Sequence, residues 1–307
     1  MRRTPLPALA LPAACLLLLT ACGTERQGAA ASATPSAARD CGAGSPTAPG
    51  TPDGDEAVVI GTGTGPGADR ARPCGTYAVT NRGTEPLTYT VTLGFQDADT
   101  GRGLTNVKDT VEAVAPGRTV RRTVTADDVP AAGVSSDAAG RVTLSVLTVR
   151  GVPAAEASSE GGACPPTGVR VYADEGDAAM GLRVVGLHLE NCGVRPYRLK
   201  GHPRVEPLDE ARERVDGVAV LEGGDAIASG TGADGPPEQL VLAPGERARA
   251  GLVWRNTVDS GTEGPVAAPY ARVWAKPGAA PVMVIPELDL GTTGKLGVGP
   301  WKKEQKR

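Results

Sequence analysis

The chain has 307 residues, a formal net charge of −3, 42 glycines, 27 prolines and a single phenylalanine. Its length suits two ordinary domains rather than one, and the mildly acidic balance excludes a basic field of the kind that draws nucleic acid, so no nucleic-acid partner is expected. So much glycine and proline with so few aromatics implies many turns and short strands around cores of Val, Leu and Ala.

Arg2 and Arg3 precede an apolar stretch, residues 6–19, that is too short and too interrupted by Pro7 and Pro12 to span a bilayer. Residues 1–21 therefore read as a signal peptide, and Cys15 leaves with it. Leu19, Thr20, Ala21 and Cys22 form a lipobox that resembles the bacterial lipoprotein class. That resemblance implies cleavage before Cys22 and a diacylglycerol thioether on its sulfur. The expected address is the extracytoplasmic face of the cell membrane, with membrane lipid as a partner through the acyl chains. Each buried methylene adds about 0.8 kcal/mol of membrane affinity.

The lipidated Cys22 opens residues 22–56, whose Ala, Ser, Thr, Pro and Gly cannot offset the entropy of ordering, so this segment is expected to be a flexible tether. Outside the membrane the thiols of Cys41, Cys74, Cys164 and Cys192 are expected to oxidise, and four cysteines admit three pairings. A first domain is expected over 57–155. Residues 57–60 form a short strand, and the glycines of 61–67 form a mobile turn. A phosphate cradle is disfavoured there because the spacing is wrong, no Lys follows and no helical pattern begins.

Residues 87–95 alternate strictly, with Leu87, Tyr89, Val91, Leu93 and Phe95 on one face and Thr88, Thr90 and Thr92 on the other. Residues 119–125 and 141–149 read the same way, and no helical period appears between 57 and 155. Asp97, Asp99 and Gly101 start like a calcium loop, but the glycine comes one residue early and Lys108 stands where a bidentate Glu is needed. A polar hairpin turn is expected instead.

Residues 153–163 mark a boundary, and a second domain is expected over 160–307. Its strands are residues 169–173, 182–189, 214–221, 239–243, 247–254, 270–275 and 281–285. Val185, Leu187 and Leu189 face its core and His188 the other side. Residues 301–307 read as a basic, frayed tail.

Asn81, Gly83 and Pro86 recur in the same spacing as Asn191, Gly193 and Pro196, and each copy leads to an Ala-Pro-Gly turn, at 115–117 and 243–245. One cysteine pair accompanies each copy, Cys41 with Cys74 and Cys164 with Cys192, although pairing across the halves stays open. The expected fold is all-β: two tandem immunoglobulin-like β-sandwich domains.

Cys164, residues 178–183, 189–193 and 195–199, Gly201, Pro203, Leu208, Asp209, and residues 243–246, 254–257, 288–294 and 296–297 together resemble a domain-of-unknown-function family common in actinobacterial secreted lipoproteins. The resemblance covers roughly residues 160–301. His202 departs from it, standing where such proteins often carry an aromatic. It implies a β-sandwich in the cell envelope and brings no substrate, cofactor or catalytic residue with it.

Assembled chemistry is hard to find. His188 and His202 lack zinc-hydrolase spacing, no Ser sits in a nucleophile elbow or three residues before a Lys, and Met180 and Met283 are too far apart in sequence for a copper cluster. No catalytic residue, metal or cofactor is expected, and each methionine is expected to fill a core gap. Trp254, Arg255, Tyr270 and Trp274 are the binding candidates, because Trp, Tyr and Arg carry hot spots when exposed. Trp254 nonetheless shares the inward set of Leu252, whereas Trp274 lies between Arg272 and Lys276. The expected function is a non-catalytic envelope lipoprotein that binds a protein or a wall polymer. The alternatives are a wall-directed hydrolase or transferase with His202 and acids in its site, and a structural spacer.

Overall fold

A strand turns successive side chains to opposite faces, so the apolar and threonine sets of residues 87–95 must part, and they do. The computed structural model describes residues 41, 57–65, 72–126, 142–259 and 264–304. The expected signal peptide, Cys22 and all of the expected tether except Cys41 lie outside the described residues.

The first half contains β1 (Ala57–Gly65), β2 (Arg72–Thr80), β3 (Leu87–Asp97), β4 (Gly103–Val114), β5 (Thr119–Thr125) and β6 (Val142–Pro153). They form two antiparallel sheets, ordered β1-β2-β5 and β4-β3-β6. Leu87, Tyr89, Val91, Leu93 and Phe95 are all buried and meet Tyr77, Val79, Val111, Val124 and Leu144 in one core. Each such side chain contributes roughly 1.5–3 kcal/mol of transfer free energy.

The glycine-rich run expected as a turn is a strand as far as Gly65, the last described residue of that run. β1 shifts register beside Ile60 and continues, pairing Gly61–Gly65 with Thr76–Arg72. Glycine alternates there with β-favouring threonine, and ladder bonds need no side chain. The partner strand uses the same economy, since a Cβ on Gly75 would collide with the Leu144 side chain of the opposite sheet. Asp97 builds the β3–β4 hairpin turn: its Oδ1 accepts the N–H groups of Asp99 (3.1 Å) and Thr100 (2.8 Å) and the Thr100 hydroxyl (2.8 Å). These bonds, the Thr100 N–H foremost, hold its carboxyl below the usual range.

The second half contains β7 (Arg170–Ala173), β8 (Asp177–Ala179), β9 (Leu182–Glu190), β10 (Tyr197–Lys200), β11 (Arg204–Leu208), β12 (Ala219–Glu222), β13 (Gln239–Leu242), β14 (Arg247–Arg255), β15 (Val266–Ala268), β16 (Tyr270–Trp274), β17 (Val282–Val284), β18 (Leu288–Gly291), β19 (Lys295–Val298) and β20 (Lys302–Lys303). The main sheet runs β12-β19-β14-β9-β7, with β20 on β14 and β8 on β9. Smaller sheets pair β10 with β13, β15 with β18, and β11-β16-β17. No helix occurs among the described residues, so the protein is all-β.

Three further expectations need correction. Residues 214–221 are not one strand, because the Asp216-Gly217 turn, with Gly217 at φ +81°, leaves Arg214 a lone bridge to Leu208 and starts β12 at Ala219. Met283 is fully buried as expected, but Met180 is 98% exposed at the β8–β9 tip with φ +48°. The C-terminal segment is docked as far as Glu304. Trp301 is wholly buried; its Nε1–H donates to the Ala275 carbonyl (2.9 Å) and its N–H to Gly201 (3.0 Å), while β20 pairs with β14.

The repeated Asn, Gly and Pro spacing builds the same device twice. The Asn81 side-chain amide donates to the carbonyls of Glu85 (2.8 Å) and Val114 (2.7 Å), and its Oδ1 accepts the Gly83 N–H (2.8 Å). Asn191 donates likewise to Arg195 and Leu242 (2.8 Å each), and its Oδ1 accepts from Gly193 (3.2 Å). Each asparagine also exchanges two backbone bonds with the Ala-Pro-Gly turn, through Gly117 and Arg118 in one half and Gly245 and Glu246 in the other. Strand order agrees. The strand before the asparagine (β2, β9) lies between an earlier strand (β1, β7) and the strand launched from the turn (β5, β14). The strand after it (β3, β10) pairs with the one entering the turn (β4, β13).

The disulfides join Cys41 to Cys74 and Cys164 to Cys192, one per half. Closing loops of that length constrains the unfolded chain by about 3–4 kcal/mol each. Their placement differs: Cys74 lies inside β2, whereas Cys192 comes after β9 and its asparagine.

Residues 38–307 form one unit, and the polar face of the β4-β3-β6 sheet is where the second half docks. Arg150 forks onto Glu287 (2.6 and 2.9 Å) and reaches Glu210 (2.8 Å), and Lys108 reaches Glu175 (2.7 Å). Beneath them Val152 joins Leu208, Tyr270 and Met283 in a small apolar cluster. The connector participates, since the Met283 N–H donates to the Glu156 carbonyl (2.7 Å).

Candidate functional site

The four binding candidates are not brought together. Trp254 is 2% exposed, and its indole N–H donates to Asp289 Oδ1 (2.7 Å), whose other oxygen accepts from Asn256 (2.9 Å). Its inward direction comes from the alternation it shares with Leu252. Arg255 is half-buried at the end of β14, where its carbonyl accepts the Thr293 hydroxyl (3.2 Å). Tyr270 is 4% exposed, in the cluster between the halves. Trp254 and Tyr270 are therefore buried and packed.

Trp274 is different. It stays partly open at the end of β16, where the β11–β16 register sets Arg204 directly opposite. The Arg204 guanidinium lies 4.2 Å from the centre of the indole ring. Lys276, two residues on, places its ammonium 3.8 Å over the Tyr197 ring and donates to the Arg198 carbonyl (3.1 Å). Cation–π pairs at open sites are worth about 0.5–1 kcal/mol each, and they preorganise long cationic side chains that would otherwise wander. Local sequence marks Trp274 and Lys276 as sharing a face, but Arg204 and Tyr197 arrive from distant strands and leave no local signature.

A concavity of about 450 Å³ opens between the halves. One wall is the threonine face of β3 and β4, and the other is the connector after β6 together with the end of β7.

His188 meets two acids. Its Nδ1 lies 2.7 Å from Glu304 Oε1 and its Nε2 3.0 Å from Asp174 Oδ2, with Tyr172 stacked on the ring at 5.1 Å. With both nitrogens engaged, the group works as a clamp on the C-terminal segment. His202 has Glu222 at 3.9 Å. No set of three or more His, Cys, Asp or Glu suited to a metal occurs among the described residues.

Burial pushes the Asp174 carboxyl up, but hydrogen bonds from His188 and the Gly186 N–H, with Arg249 nearby, outweigh it and leave it below the usual range. A lowered acid contributes stability that is present above its unfolded pKa and lost as pH falls through the folded value. Urea midpoints of the wild type should thus fall more between pH 7 and about pH 3 than those of Asp174→Asn. Equal losses would show that the clamp does not carry acid sensitivity.

Comparison with known proteins places one domain on this chain. Residues 164–302, from the second disulfide to the first residue of β20, match the family described as Domain of unknown function (DUF4232). No curated protein matches the chain.

Proposed function

We propose that the protein is a lipid-anchored envelope protein, two immunoglobulin-like sandwiches on a tether, that binds another envelope macromolecule without transforming it. The anchoring rests on the lipobox at Cys22, and the two-sandwich reading on the repeated asparagine device and matching strand order. The observation that carries binding is the strip of Arg204 on Trp274 beside Lys276 on Tyr197. An open Trp and Tyr with cations fixed over them is the composition of interface hot spots.

The test uses the purified, oxidised protein as bait for solubilised envelope extract. A specific protein or wall polymer should be retained, and Trp274→Ala should weaken retention about tenfold, since a hot-spot truncation removes over ~1 kcal/mol. In cells, labelled palmitate should enter the wild type and not Cys22→Ser. Undiminished retention by Trp274→Ala would remove the strip from the reading, and label persisting in Cys22→Ser would remove the anchor.

A further inference from the structure

The geometry points to a second binding site, for a neutral oligosaccharide, in the groove between the two halves. This inference rests on the reading of the protein as a binding module and names a ligand class for it, at a place separate from the Trp274 strip.

The groove's volume, about 450 Å³, falls in the range of small-molecule sites. Its polar groups are mainly hydroxyls. Thr90 and Thr110 stand directly opposite each other across the β3–β4 ladder, and Ser158 and Ser159 face them from the connector. Among the described residues no protein group engages these four hydroxyls, so they remain open to a ligand. A hydroxyl both donates and accepts, which matches a partner that does the same at every carbon, as a sugar does.

Charge narrows the class further. Lys108 is the groove's single cation and is tied to Glu175 at 2.7 Å, which leaves Glu112 and Glu160 as surplus negative charge. Phosphorylated or acidic polymers are repelled by that surplus, whereas carboxylates accept sugar hydroxyls readily. Val152, Ala173, Ile285 and Tyr172 supply the apolar part of the lining against which the C–H faces of a pyranose can lie. The site is also preorganised. Arg170, 8% exposed, donates to the Gly162 carbonyl (2.8 Å) and pins the connector, while the Arg150 fork fixes one half against the other. A fixed groove loses little freedom on binding, which favours weak, flexible ligands such as glycans.

The experiment is calorimetric titration of the oxidised protein with the N-acetylglucosamine hexamer, maltohexaose, hexalysine and inorganic phosphate. At least one of the two neutral oligosaccharides should bind, and hexalysine and phosphate should not. The double variant Thr90→Val/Thr110→Val keeps the side-chain shapes, removes two hydroxyls and should weaken binding about tenfold. Ser159→Trp, which fills the groove from the connector, should abolish it, and Trp274→Ala should leave it unchanged. Failure of both oligosaccharides to bind, preference for hexalysine, or indifference to the double variant would overturn the assignment. Absence of oligosaccharide binding together with envelope retention that is lost in Trp274→Ala would sink the groove alone. Loss of neither binding activity to its own variants would sink both readings.

Discussion

Asn191→Ala should destabilise the second half by about 3–5 kcal/mol, and Asn81→Ala the first half by a comparable amount. Each asparagine is almost completely buried and bonds two carbonyls and one N–H: those of Arg195, Leu242 and Gly193 in one copy, Glu85, Val114 and Gly83 in the other. Truncation takes a donor from two buried carbonyls at once, a larger loss than that of one exposed hydrogen bond. Asn191→Asp should do no better, because a carboxylate presents oxygen to two carbonyl oxygens. Urea unfolding separates the halves conveniently. All three tryptophans, Trp254, Trp274 and Trp301, lie in the second half, so their fluorescence reports it alone, while circular dichroism reports both. A fluorescence midpoint unmoved by Asn191→Ala would mean that the asparagine merely decorates the turn.

Trp301→Ala should cost the second half a similar amount, about 3–5 kcal/mol. The side chain is fully buried in the main core, and its removal opens a cavity while stranding the Ala275 carbonyl that accepts its N–H. The same truncation frees the C-terminal strand. β20 is only two residues long and is held by its ladder to β14, by Lys303 on Glu246 (2.7 Å) and by Glu304 on His188. Hydrogen exchange at Arg249 and at residues 302–304 should therefore accelerate in Trp301→Ala beyond the global loss of stability. Exchange that scales only with global stability would show that β20 holds itself.

What the sequence discloses depends on how local the cause is. β3 is legible because its alternation is sustained over nine residues and its apolar set is wholly buried. The two asparagine devices are legible because their donors and acceptors are fixed by a short spacing. β4 escapes notice since its register shifts near both ends break the period and it buries only Val111 and Val114 fully. β10, β15 and β18 to β20 have two to four residues, too few for any period to show. Trp301 sits among charges and glycines, and no pattern distinguishes a lone indole that plugs a core from one in a frayed tail. At the site, residue type suggests a hot spot equally for Trp254, Tyr270 and Trp274. Only nonlocal register, which sets Arg204 beside Trp274 and turns Tyr270 toward Val152, separates them.

The first disulfide also decides how the protein bears load. A pull arriving along the chain from residues ahead of Cys41 crosses the sulfur bridge into Cys74, so residues 42–73, β1 among them, are bypassed and carry no tension. Force is delivered to β2, the middle strand of its sheet, which is laced to β1 on one side and β5 on the other. An edge strand peels away one bond at a time, whereas a middle strand must break both ladders to move. Reduction of that bridge would reroute the same pull to Ala57 and expose β1 as the first strand to tear.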